Sequence, residues 1–215
     1  MNALHNSLTS AGAPTSRSIS RDAEHLLNSL EGPLPEPVLH PVLVVVSGLP
    51  GTGKSFFSQR LAERISLLVM ESDAMRKALV PSPLHSTGES ARLFRAVHEV
   101  IDLLLEHCLP VLLDATNLAE SHREHLYHIA EQRSARVILV RVKAPPEVVH
   151  QRLEDRAGRS QRQDHSDADW EVYKRMSPSQ EPVRHNHLVV DTSQDIEPAV
   201  QKVVREINRW IRWRR

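Results

Sequence analysis

The chain predicts an α/β fold, a parallel sheet of about five strands with helices on both faces. Short apolar runs rich in β-branched residues recur between residues 42 and 190 and alternate with stretches of helical period. The runs are apolar throughout rather than at every second residue, as expected of strands buried on both faces. Polar residues of chemical interest follow the ends of these runs, where parallel sheets hold ligands.

The elements follow in order. Met1 to about Ser20 is rich in Ser, Thr and Ala and reads as loosely attached. Arg21–Leu30 has Leu26, Leu27 and Leu30 on one face of a short helix. Gly32-Pro33-Leu34-Pro35-Glu36-Pro37 reads as a stiff linker. Residues 1–38 are therefore expected to be a flexible extension with a Pro-rich linker, and 39–215 the globular domain. Val42–Val46 is the first strand, followed by a helix over Ser55–Ile65 with Phe56, Phe57, Leu61 and Ile65 at helical spacing. Leu67–Met70 is the second strand. Glu89–Cys108 is a helix with Phe94, Val97, Ile101, Leu104 and Leu105 as its stripe, ended by Pro110. Val111–Leu113 is a third strand, Glu120–Arg133 a helix and Val137–Val142 a fourth strand. A helix over Pro146–Arg156 opens on Pro145-Pro146. Leu188–Val190 is the fifth strand, and Ile196, Val200, Val203, Val204, Ile207 and Ile211 stripe the last helix.

Composition narrows the class. Lys+Arg and Asp+Glu are both 27, so formal charge is zero, which argues against wholesale coating of nucleic acid. Cys108 is the one cysteine, so no internal disulfide forms, and its place on an apolar stripe predicts a small buried hydrophobe. No apolar run approaches the ~18 residues of a membrane span, and no charged start leads into an apolar stretch. A cytoplasmic protein with no membrane partner is expected. Oligomeric state is not legible.

Between the first strand and its helix stands Gly48-Leu49-Pro50-Gly51-Thr52-Gly53-Lys54-Ser55, which fits G-x-x-x-x-G-K-[ST]. Glycines permit positive φ and close backbone approach. Successive N–H groups and the helix N-terminus then favour phosphate oxygens. Gly48, Gly51, Thr52, Gly53, Lys54 and Ser55 are thus candidate ATP-binding residues, with Lys54 on the β/γ phosphates and Ser55 on Mg²⁺. The predicted architecture becomes the three-layer P-loop NTPase fold.

Other candidates stand at strand ends. Asp114 closes the third strand and is the second candidate Mg²⁺ residue; a turn Asp is the competing reading. Asp73 and Arg76 share a helix face after the second strand. Asp73 there could accept a proton from an attacking hydroxyl, and Arg76 could hold an anionic acceptor group. A helix cap followed by a surface Arg is the competing reading. Arg152 and Arg156 repel each other at i,i+4 spacing unless an anion lies between them, and a polyphosphate would serve. Gly158–Asp169 is polar and loop-like, giving a lid over residues 152–169. His122, His125 and His128, and the pair His185 and His187, lack a metal-ligand pattern and read as surface histidines. Trp210, Arg212, Trp213, Arg214 and Arg215 either continue the last helix or stack on nucleic acid.

Together these residues resemble the kinase domain of polynucleotide 5′-hydroxyl kinases and the wider group of small predicted ATP-binding kinases of that type. The resemblance spans about Val42 to Met176. It implies that Asp73-x-x-Arg76 is the general base and acceptor-binding arginine. It implies that Asp114-Ala115-Thr116-Asn117-Leu118, with Arg123 beyond it, is the Asp/Thr-Asn signature, making Thr116, Asn117 and Arg123 acceptor-binding. It implies that Arg152-x-x-x-Arg156 supplies the lid arginines, Arg156 being catalytic. Asp167 to Met176 resembles the short helix after the lid. Ala115 departs from the pattern by separating the acid from the Thr-Asn pair.

The expectation is an ATP- and Mg²⁺-dependent phosphotransferase with Lys54, Asp73 and Arg156 as catalytic residues. The absence of an Asn/Thr-Lys-x-Asp guanine signature favours adenine. The expected acceptor is a nucleic-acid 5′-hydroxyl, with a small molecule such as an antibiotic, sugar or nucleoside, or an aminoacyl-tRNA, as the alternatives. A nucleotide-binding regulator without transferase activity is the alternative from another class.

Overall fold

The computed structural model describes residues 19–30, 33–157 and 168–212. Five strands, β1 (Val42–Ser47), β2 (Leu68–Glu71), β3 (Val111–Asp114), β4 (Arg136–Lys143) and β5 (His187–Asp191), form one sheet in the order β2-β3-β1-β4-β5. Every pairing is parallel. The helices are α1 (Arg21–Ser29), α2 (Lys54–Ala62), α3 (Ser72–Leu79), α4 (Thr87–Glu106), α5 (Glu120–Gln132), α6 (Pro146–Ala157), α7 (Trp170–Met176) and α8 (Glu197–Ile211).

The unbroken apolar run of β1 has the predicted cause. Leu43 and Val45 face a core shared with α1, α4 and α5, while Val42, Val44 and Val46 face a second core shared with α2 and α8. All five are buried. Burying each side chain is worth about 1.5–3 kcal/mol. A one-residue slip would exchange the two sets between differently shaped cores, so the register is well specified.

The N-terminal boundary differs from expectation. Residues 21–29, assigned by composition to a flexible extension, belong to the globular body. Ala23, Leu26 and Leu27 are buried in the first core. Ser20 caps α1 by accepting from the Ala23 amide, and Asp22 pairs with Arg92 of α4 at 2.6 Å. The Leu face of so short a helix is stable only when buried against something larger. The Pro-rich stretch that follows is tied down by the Val38 amide, which donates to the Cys108 carbonyl at 2.9 Å.

Two smaller readings also change. Cys108 is half-buried and left-handed, with φ 58°, and serves as the cap that turns the chain out of α4. Trp210 donates from its indole nitrogen to the Pro41 carbonyl at 3.1 Å, and its ring meets His40 and the Arg136 guanidinium. That ring closes α8 onto the start of β1. Trp213, Arg214 and Arg215 lie outside the described residues, as do residues 158–167 of the expected lid.

Candidate active site

The order β2-β3-β1-β4-β5 makes β1 and β3 adjacent although their onward connections run to opposite sides of the sheet. Such a switch opens a crevice beyond the strand ends. The loop after β1 and the acid that ends β3 both lie there. Gly53 is the left-handed residue before α2, with φ 88°, and Gly51 has φ 73°. Gly48 has a steric reason as well: a Cβ there would lie 2.3 Å from the Val142 carbonyl oxygen.

The loop is stitched to the segment after β3. The Gly48 amide donates to Thr116 O at 3.1 Å, and the Ser47 hydroxyl donates to the carbonyls of Thr116 and Asn117. Asn117, at φ 46°, returns a bond from Nδ2 to Val46 O at 3.3 Å. The Gly48 amide thus faces the neighbouring loop and not a cradle. The Thr52 hydroxyl and Lys54 Nζ both donate to Leu49 O, at 2.7 and 3.1 Å. The first-turn amides of α2, from Lys54 on, have no acceptor within the helix, which leaves partial positive charge at the mouth of the loop.

Asp114 stands in register with Val46 of β1 and Glu71 of β2. It is 4 % exposed, and burial pushes its carboxyl above the ordinary aspartate range. The Lys54 ammonium and the hydroxyls of Ser55 and Ser58 pull it back down, and Asp73 adds to the rise. Asp114 Oδ2 is buried and has no hydrogen-bond partner. An orphaned carboxylate oxygen beside a serine hydroxyl suits a hard divalent cation, so Ser55 and Asp114 fit Mg²⁺. Asp73 is half-buried in the first turn of α3 and close enough to act on Asp114.

The arginines divide. Arg76 is buried and partly committed: Nη1 donates to Glu89 Oε1 at 2.7 Å and Nη2 to Ser90 Oγ at 3.3 Å, while its Nε is buried with no hydrogen-bond partner. Its guanidinium holds the Glu89 carboxyl below the ordinary range. Arg123 is 1 % exposed, and all three of its guanidinium nitrogens are engaged. Nε donates to Glu120 Oε2 at 2.8 Å, Nη1 to the carbonyls of Asn117 and Leu118, and Nη2 to Glu120 and to the carbonyls of Glu181 and Pro182. The expected acceptor contact is therefore corrected: Arg123 is a structural knot with no donor left over.

Arg152 rests on Thr192, donating to its hydroxyl and its carbonyl, each at 2.8 Å. The Thr192 hydroxyl in turn donates to Thr52 O of the glycine-rich loop at 2.6 Å. Arg156 is half-buried one turn on, in the last turn of α6. Thr192 escaped the sequence reading, yet it directly follows β5, and the strand-end logic that picked out Asp114 points to it equally. The side chains of Val149 and Leu153 pack against Gly51, so α6 lies on the phosphate loop. Away from this site, His98 of α4 stacks on His125 of α5 with centroids 5.5 Å apart. Burial, with His125 and His122 nearby, lowers the His98 pKa to about 4.

Comparison with known proteins identifies the family and the fold. The chain is 28 % identical over 109 residues to the L-seryl-tRNA(Sec) kinase of Methanococcus maripaludis, covering 48 % of this chain and 42 % of that protein. The chain thus spans less than half the length of that curated relative. Kti12 of Chaetomium thermophilum, solved with ADP-AlF3, superposes with a TM-score of 0.64 at 18 % identity, covering 80 % of this chain and 100 % of that one. The APS kinase CysC of Mycobacterium tuberculosis, solved with AMPPNP and APS, superposes at 0.59 with 20 % identity, covering 80 % and 99 %. At these identities the structures establish the shared fold. The AAA domain family model (AAA_33) matches residues 43–183, from β1 through the loop after α7, and the chain belongs to that family.

Proposed function

We propose that this chain is an ATP-dependent phosphotransferase that moves the γ-phosphate to a hydroxyl acceptor. One observation carries the reading: Lys54, Asp114 and a second carboxylate, Asp73, converge where the glycine-rich loop meets α2. A nucleotide-binding regulator needs the loop and the metal acid but has no use for Asp73. Lys54 and the amides of the loop and of α2 would grip the phosphates. Asp73 would take the proton from the acceptor hydroxyl as its oxygen bonds to phosphorus and the bond to the departing ADP oxygen breaks. Arg156, with Arg152, would bring positive charge to the transferring group. Ser55 and Asp114 would hold Mg²⁺, which supplies charge neutralisation on the phosphates.

The acceptor reading turns on Arg76. Its charge is neutralised by Glu89 within the protein, which makes it a weak clamp for an anionic acceptor even though its Nε has no hydrogen-bond partner. That favours a small uncharged hydroxyl compound over a nucleic-acid 5′ end, and the closed ring contacts of Trp210 point the same way. The relatives' names cover both a tRNA-borne and a small-molecule acceptor, so the experiment includes both. Radiolabelled γ-phosphate transfer is measured with 5′-hydroxyl DNA and RNA, aminoacyl-tRNA and pooled metabolites. Label is expected in a small hydroxyl compound, and Lys54→Ala is expected to abolish it while staying folded. Label in nucleic acid would reverse the acceptor reading. ATP turnover with no labelled acceptor would favour the regulator, and turnover retained in Lys54→Ala would end the proposal.

A further inference from the structure

A second polar cluster lies on α5 and uses residues without a role in the chemistry above. Glu120 and Glu124 are four residues apart and share a helix face. His185, from the segment before β5, lies against them, and one donor atom from each residue falls within 4.8 Å of the others. His185 Nε2 is 3.3 Å from Glu124 Oε1. Tyr127 packs its ring on the imidazole, with centroids 4.0 Å apart, which limits how the ring can turn.

An independent observation marks the same place. Glu120 is 7 % exposed, and its Oε2 is occupied by Arg123, but its Oε1 is buried with no hydrogen-bond partner. Leaving a buried acceptor unpaired costs about 1–3 kcal/mol, more when it is charged. Arg123 cannot serve this oxygen, because each of its nitrogens is already engaged. The hydroxyl of Tyr127 is likewise buried without a partner.

We propose that Glu120, Glu124 and His185 form a binding site for a divalent transition-metal ion of the zinc class. Two carboxylates and an imidazole form a borderline N/O donor set, which suits zinc better than magnesium or calcium. Zn–N and Zn–O distances of about 2.0–2.2 Å put tetrahedral donors about 3.3–3.5 Å apart. The His185–Glu124 pair already meets that separation. The widest separation, up to 4.8 Å, must close by as much as about 1.5 Å, and exposed Glu124 has the rotamer freedom to do so against the stacked His185 ring. The ion would pin residue 185 to α5. The adjoining stretch is held to the same helix by the Glu120 amide, which donates to Glu181 Oε2 at 2.6 Å, and by Arg123 on Pro182 O. The simpler alternative is an exposed ion pair between protonated His185 and Glu124 that takes up no metal.

Isothermal titration calorimetry of the full chain with zinc chloride separates the two, with excess magnesium present to occupy hard-cation positions. One tight zinc site is expected in the wild type. His185→Ala and Glu124→Gln should each weaken it by at least ~10-fold. His122→Ala, on the same helix but outside the cluster, should leave it unchanged. Zinc should raise the thermal midpoint of the wild type and of His122→Ala but not that of His185→Ala. The replaced side chains are exposed, and far-UV circular dichroism confirms that each variant is folded. No specific zinc uptake, uptake that survives both His185→Ala and Glu124→Gln, or uptake lost in His122→Ala would overturn the proposal.

Discussion

Replacing Arg123 with Ala should destabilise the fold severely and leave acceptor recognition alone. The side chain is 1 % exposed and pairs with a Glu120 side chain that is itself 10 % exposed. Removing one partner of a buried ion pair costs about 3–5 kcal/mol, because the other charge stays buried. Four loop carbonyls, at Asn117, Leu118, Glu181 and Pro182, also lose their donor. A domain of ordinary stability has only about 5–15 kcal/mol in total. At a urea slope of about 2 kcal/mol/M, the midpoint should fall by about 2 M. Arg123→Lys should recover only part of the loss, since one ammonium cannot reproduce a fork bonded on three sides. Urea unfolding followed by circular dichroism measures both. A wild-type midpoint in Arg123→Ala, with a raised KM for the acceptor, would refute the structural role and restore the acceptor contact.

Asp73→Asn should lower turnover by ~10²–10⁴-fold with nucleotide affinity kept, as expected for loss of a general base; unchanged turnover in a steady-state assay would remove Asp73 from that role. Asp114→Asn should raise the thermal midpoint at neutral pH while weakening Mg²⁺ binding. The native Asp114 pKa lies above the ordinary aspartate value of 3.8, so its contribution to stability is full below that pH and is lost as pH rises through the native value. The gap between variant and wild type should therefore widen with pH, and a variant less stable at pH 7 would contradict this. His98 works the other way. Its native pKa of about 4 lies below the ordinary 6.5, so its contribution is present above 6.5 and lost as pH falls through about 4. His98→Leu should flatten the fall in thermal midpoint across that window, and an unchanged profile would show that His98 does not set it.

The sheet was legible because fully buried parallel strands leave a plain trace: Val42–Val46 needs apolar residues at every position, since both of its faces are covered. The glycine-rich loop was legible because its spacing follows from backbone geometry within eight residues. What depends on distant partners was not. Arg123 takes its role from carbonyls at 181 and 182, which no local pattern announces. Arg76 looks available until Glu89, thirteen residues on, is folded beside it. Residues 21–29 were misplaced because the proline-rich stretch after them resembles a hinge, while the core that receives Leu26 and Leu27 comes mostly from residues beyond 43.

The seat of Arg152 on Thr192 has a thermodynamic consequence. A free arginine carries about 2 kcal/mol of rotamer entropy, and closing it over an anion would normally forfeit that. Here the side chain is docked beforehand, on a hydroxyl that also touches the Thr52 carbonyl. Redirecting a guanidinium that is already parked demands less ordering than capturing one that tumbles in water. The far edge of the sheet, where β5 ends, would thereby ready Arg152 for the anion proposed above.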